Sequence, residues 1–181
     1  MRLSLDFWRN ASCKRKRLYS VLLVLLVAIM AMIIGSSVPL NYDTAVTLHH
    51  NLQQNLNQSI VDHNLPQDIY INNLLLCLVM FIPLLGAGSG LLILYNTGVG
   101  LNAICIVQNQ NTFLGVLDLM ASPVFWLEFV AYSIAIAQSI WLFRRILQGR
   151  WDELRWTAVA IVVCVVLLAV GAIVETWYIT G

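Results

Sequence analysis

The chain has 181 residues, 60% of them hydrophobic and only 10% charged, with a formal net charge of +1 at pH 7 and a mean hydropathy of +0.80. A soluble domain of this length has no way to hide so much apolar surface, so the composition excludes that class. The balance of charge says little about partners; the positions of the charges say more.

All ten Lys and Arg residues lie in two short segments. The first is Arg2, Arg9, Lys14, Arg15, Lys16 and Arg17, and the second is Arg144, Arg145, Arg150 and Arg155. No basic residue occurs from Leu18 to Phe143, where long apolar runs fill most of the chain. This pattern predicts an all-α, multi-pass bundle in the cell membrane with both basic segments on the cytoplasmic face. Short juxtamembrane clusters of this kind argue against nucleic-acid binding, although they suit anionic lipid headgroups.

In chain order, residues 1–17 form a basic cytoplasmic N-terminus. An apolar run from Leu18 to Val38, closed by Pro39, reads as the first span. Its flanks resemble a signal peptide, but the run is long enough to begin a membrane crossing, and an uncleaved anchor is expected. Residues 39–68 form a polar segment without Lys or Arg, placed outside by the same charge rule. Within it, Thr44 to Ile60 suits a surface helix, with Val46, Leu48, Leu52, Leu56 and Ile60 recurring partly at a spacing of four. Asn57-Gln58-Ser59 is a glycosylation sequon, relevant only in a host that uses one.

Residues 69–181 are expected to hold four more spans, for five in all, with the C-terminus outside. The second runs from Ile69 to about Tyr95 and is kinked at Pro83. Asn96-Thr97-Gly98 then reads as a turn, and a third span starts near Gly98. That start places Gln108 to Thr112 near mid-bilayer, where polar side chains cannot face lipid. Three readings follow: a broken helix completed by a re-entrant segment Phe113–Ser122, a polar run facing a protein-lined cavity, or an outer loop in a thinned membrane. The fourth span runs inward from Pro123 to Phe143, and the fifth runs outward from Thr157 to Tyr178.

Two packing motifs stand out. Ala31 with Gly35, and Gly86 with Gly90, are small-xxx-small pairs that let helix backbones approach closely. The Gly-rich run at Gly86, Gly88 and Gly90 is not a nucleotide loop, because it lies inside an apolar span with no strand before it.

Glu128 and Glu175 are acids inside predicted spans, without a basic residue at their depth. A carboxylate buried there carries a large desolvation cost. One reading makes them a proton- or ion-accepting site, with Asn72, Asn73, Asn96 and Asn109 as the neighbouring polar groups. A second makes them structural, each protonated or accepting hydrogen bonds from a neighbouring helix end or from Asn72 and Asn73, and a third has them snorkel to the interface. On the fourth span Glu128, Ala131, Ala135, Gln138 and Ser139 share one face, suited to the bundle interior. On the fifth, Gly171 and Ala172 flank Glu175.

No catalytic residue, metal site or cofactor is expected. Ser122, Ser133 and Ser139 have no histidine within the bilayer to activate them. His49, His50 and His63, with Asp43, Asp62 and Asp68, match no metal-ligand spacing. Cys13, Cys77, Cys105 and Cys164 form no CxxC pair and read as small apolar filler. The tryptophans and tyrosines near the span ends fit an interfacial belt.

From Ile69 onward the chain resembles the stage II sporulation protein M family of integral membrane proteins. The features that carry the resemblance are Asn72-Asn73, the spaced Phe81, Gly86 and Gly90, and Asn96-Thr97-Gly98-Val99-Gly100. Pro123, Glu128 and Ala131 follow, then Ala172-Ile173-Val174-Glu175. The family's His-Gly after the proline is Val124-Phe125 here. The resemblance implies a membrane scaffold that holds partner proteins together, and it transfers architecture more readily than biology. The leading expectation is a non-enzymatic membrane scaffold or accessory subunit. Its partners would be lipids and other integral membrane proteins, or further copies of the chain. The alternative is a transporter or channel component using Glu128, Glu175 and a broken third helix.

Overall fold

The structure, a computed structural model, describes residues 13–61, 65–149 and 151–180. Arg2, Arg9, Asp62, His63 and Arg150 lie outside these, as do the side chains of Leu56 and Ile60. The described residues form seven helices and no strand: α1 (Cys13–Ser36), α2 (Tyr42–Val61), α3 (Leu65–Met80), α4 (Leu85–Val107), α5 (Thr112–Ala121), α6 (Pro123–Leu147) and α7 (Glu153–Thr180). Within α1, α4, α6 and α7 are four stretches long and apolar enough to cross a membrane. At 16 residues, α3 is shorter, spanning about 24 Å.

The second and third predicted spans are divided at a different place. The break lies at residues 81–84, around Pro83, and Asn96-Thr97-Gly98 sits inside the unbroken α4. Pro83 has no N–H to continue the ladder, and Leu84 takes a positive φ of 72°. The carbonyl of Ile82 accepts hydrogen bonds from the Gly86 N–H at 2.7 Å and the Ser139 hydroxyl at 2.8 Å. A turn among apolar helices is stable when its backbone groups are satisfied in this way.

Moving the break also moves the polar run. Gln108, Asn109, Gln110 and Asn111 follow a 23-residue helix, about 34 Å long, and all four are exposed. The expected helix start at Gly98 is therefore corrected to Leu85, so the polar run follows a continuous helix instead of interrupting one. Asn111 caps α5 by accepting a hydrogen bond from the Phe113 N–H, and Ser122 caps α6 through the Val124 N–H.

The glycines explain how the helices assemble. On α4, Gly86, Gly90, Leu94, Gly98 and Asn102 recur every four residues and all are buried. A side chain on Gly98 would run into the Met32 carbonyl and the Ser36 N–H of α1. One on Gly35 would meet the Tyr95 carbonyl. On the other side, Gly86 faces Ser139 and Gly90 faces Ile136 of α6. Two of the four expected packing residues, Gly35 and Gly86, thus lie at backbone approaches; Gly90 is closed by the side chains of Ile136 and Met80, and Ala31 is half-buried.

These contacts give the helix directions. Met32 beside Gly98 and Val38 beside Asn102 make α1 parallel to α4. Gly86 beside Ser139 and Gly90 beside Ile136 make α6 antiparallel to α4. Gln138 with Thr157, and Ala131 with Cys164, make α7 antiparallel to α6. Helix α6 is the centre of the bundle, in contact with α1, α3, α4, α5 and α7 and buried almost continuously from Ala131 to Ser139.

The polar α2 packs on α4, with Ala45 fully buried. Its expected apolar stripe is only partly covered: Leu48 is half-buried, and Val46 and Leu52 are exposed.

Candidate functional site

Two polar clusters occupy opposite ends of the bundle. The first is built around Glu128. Three residues after Pro123 start α6 off its Ser122 cap, Trp126 donates its indole N–H to the Met120 carbonyl at 2.9 Å, joining α6 to α5. Glu128 follows within the next turn, half-buried, and its Oε1 accepts a hydrogen bond from Asn73 Nδ2 on α3.

Glu175 reaches the same region from α7. Glu128 and Glu175 both line a cavity of about 470 Å³, together with Asp118 and Ser122 and the aromatic side chains Phe125, Phe129 and Tyr178. The lining is therefore acidic on an apolar background. It suits a weakly hydrated cation, a proton or a polar group presented by another helix.

The structure brings together three of the predicted site residues, Glu128, Asn73 and Glu175. Asn72, Asn96 and Asn109 are exposed and do not line this cavity. Asn109 lies in the loop after α4, with a φ of 54°. Asn96 sits within α4, away from the interior stripe of that helix.

Asn102 was not foreseen. Its amide donates to the Val38 carbonyl at 2.7 Å, and its oxygen accepts from Thr112 Oγ1 at 2.8 Å. One buried side chain thereby ties α4 to the end of α1 and the start of α5. The available signal was its place on the four-residue stripe that also carries Gly86, Gly90 and Gly98.

The second cluster, at the basic end, was also missed. Glu153, 5% exposed, opens α7 and is ion-paired with Arg17 of α1 at 2.6 Å. Gln138 of α6 donates to Glu153 Oε1 and to Thr157 Oγ1, each at 3.0 Å, and its own oxygen accepts from Arg17 at 3.2 Å. Arg145 lies 3.9 Å from the same carboxylate. The Arg17 guanidinium also lies 5.5 Å from the Trp141 ring centroid and 5.2 Å from that of Trp156. Such cation–aromatic contacts add to the ion pair where water is scarce. The hub is closed by Trp141, whose indole donates to Ser20 of α1 at 3.2 Å.

The paired cysteines have a packing role. Cys77 of α3 and Cys164 of α7 are buried against each other, and the Cys164 thiol donates to the Ala131 carbonyl at 3.3 Å. Among the described residues no group of three or more His, Cys, Asp or Glu side chains is placed to hold a metal ion.

No protein-family model, curated protein or solved structure matches the chain.

Proposed function

We propose that this chain is a non-enzymatic integral membrane scaffold or accessory subunit that docks and stabilises other membrane proteins. The observation that carries this reading is the Arg17–Glu153–Gln138 hub, which ties α1, α6 and α7 together at one end. With the close α1–α4 backbone approach at Gly35 and Gly98, it supports a bundle built to hold one arrangement. In this reading the basic end is cytoplasmic, α3 completes a fifth crossing, and the C-terminus is outside. The resemblance to the stage II sporulation protein M family agrees with a scaffold, although its Asn96-Thr97-Gly98 element is helical here.

The test is mutual dependence. A stable partner should co-purify in fixed proportion in mild detergent, and its level in the membrane should fall when this chain is deleted. A clean preparation of this chain alone, with no membrane protein losing abundance on deletion, would sink the reading.

A second reading, a transporter or channel component, is favoured by the cavity lined by Glu128 and Glu175. Vesicle flux separates the two. Glu128→Gln abolishes flux if the carboxylate carries the ion, and leaves assembly unchanged if the chain is a scaffold.

A further inference from the structure

Among the described residues, the turn between α6 and α7 carries two cations that the ion-pair hub leaves out. Glu153 is engaged by Arg17 and Arg145, and Arg145 also contacts Gln148 and the Trp141 ring. Arg144, in the last turn of α6, and Arg155, in the first turn of α7, are both exposed. Neither has an ion pair or hydrogen bond among the described residues. The other carboxylate of this turn, Asp152, is exposed at its rim.

The same few residues hold large apolar side chains in the open. Leu147 is 72% exposed, Trp151 63%, Trp156 53% and Leu154 49%. An acidic soluble protein would account for the arginines and leave the two indoles and two leucines wet. An anionic phospholipid accounts for both. Its phosphate matches the planar guanidinium fork. Indoles favour the headgroup level, and leucines favour the acyl boundary just below it.

We propose that Arg144 and Arg155, flanked by Trp151 and Trp156, form a binding surface for the phosphate of an anionic glycerophospholipid. The surface goes beyond the scaffold reading and requires only that the bundle sit in a membrane. Arg17 is not part of it, because Glu153 already holds that guanidinium.

The test uses the full-length chain purified in mild detergent, with phosphatidylglycerol or phosphatidylcholine added and retained lipid counted by native mass spectrometry. Two juxtamembrane arginines predict a preference of about thirtyfold for phosphatidylglycerol. High salt should erode it, since exposed charges are screened. The R144Q/R155Q double variant should lose the preference while keeping its unfolding temperature, because neither side chain has a partner to lose among the described residues.

Equal retention of both lipids by the wild-type chain would overturn the proposal. So would a preference that survives R144Q/R155Q. Displacement of phosphatidylglycerol by millimolar inorganic phosphate would also overturn it, by assigning the site to free phosphate. Should R144Q/R155Q fold poorly, the salt dependence of the wild-type preference decides alone: a salt-insensitive preference rejects the arginines as its source.

Discussion

Arg17 and Glu153 are separated by 136 positions in the chain and paired at 2.6 Å in the fold. Their contact joins the start of the first helix to the start of the last. It is reinforced by Gln138 from the central helix and by two tryptophan rings beside the guanidinium. Few other cation–carboxylate pairings are open to this chain, because its bases are confined to two short segments.

This pair should be energetically coupled. Glu153→Gln leaves Arg17 half-buried without its counter-charge, and a loss of about 3 kcal/mol is expected. Arg17→Met strands the buried carboxylate and should cost a similar amount. The double variant should cost clearly less than the sum, as read by unfolding in detergent. Additive losses would show that the two residues act independently.

The α1–α4 contact depends on the missing side chain at position 98. Gly98→Ala places a methyl group against the Met32 carbonyl and should destabilise the bundle by about 1–3 kcal/mol. Gly88→Ala, on the same helix, meets nothing within 4 Å. It should be neutral or stabilising by up to about 1 kcal/mol, since alanine favours a helix interior. Comparing the two unfolding midpoints checks this directly.

The adjacent asparagines should behave differently. Asn73→Leu removes the donor to Glu128 and should cost about 1–3 kcal/mol, by leaving a half-buried carboxylate unsatisfied. Asn72 is exposed, and Asn72→Leu should change stability by no more than about 0.5 kcal/mol. Equal effects would remove Glu128 from the explanation.

The helix break can be located by labelling single cysteines, in a background lacking the native ones, with an impermeant maleimide. Leu84→Cys and Gln148→Cys should react from the same side of the membrane, and Gln110→Cys from the opposite side. Asn96→Cys, within α4, should be protected from both. Labelling at position 96 from the side of position 148 would restore the turn that its sequence suggests.

Much of the fold was legible because hydropathy and charge are summed over whole helices. Apolar runs of about 20 residues mark spans without knowledge of their neighbours. Gly35, Gly86 and Gly90 were recognisable as contact points for the same reason: small residues at a spacing of four put a smooth stripe on any helix. Gly98 was misread because Asn-Thr-Gly is also a turn signal, and only the presence of α1 against that face makes its helical use apparent. The candidate site was half legible. Glu128 and Glu175 line one cavity and Asn73 bonds Glu128, but the hub at Glu153 was hidden, because a carboxylate beside arginines looks like an ordinary surface charge.

By itself, then, the sequence determined an all-helical chain with long apolar helices and positive charge at two places, since these properties depend on composition along each segment. The tertiary structure decided which of two turn signals is used, which glycines touch backbone, and which cation Glu153 holds. Each of those outcomes depends on an atom from a distant part of the chain: the Ser139 hydroxyl on the Ile82 carbonyl, the Met32 carbonyl against Gly98, and the Arg17 guanidinium at the Glu153 carboxylate.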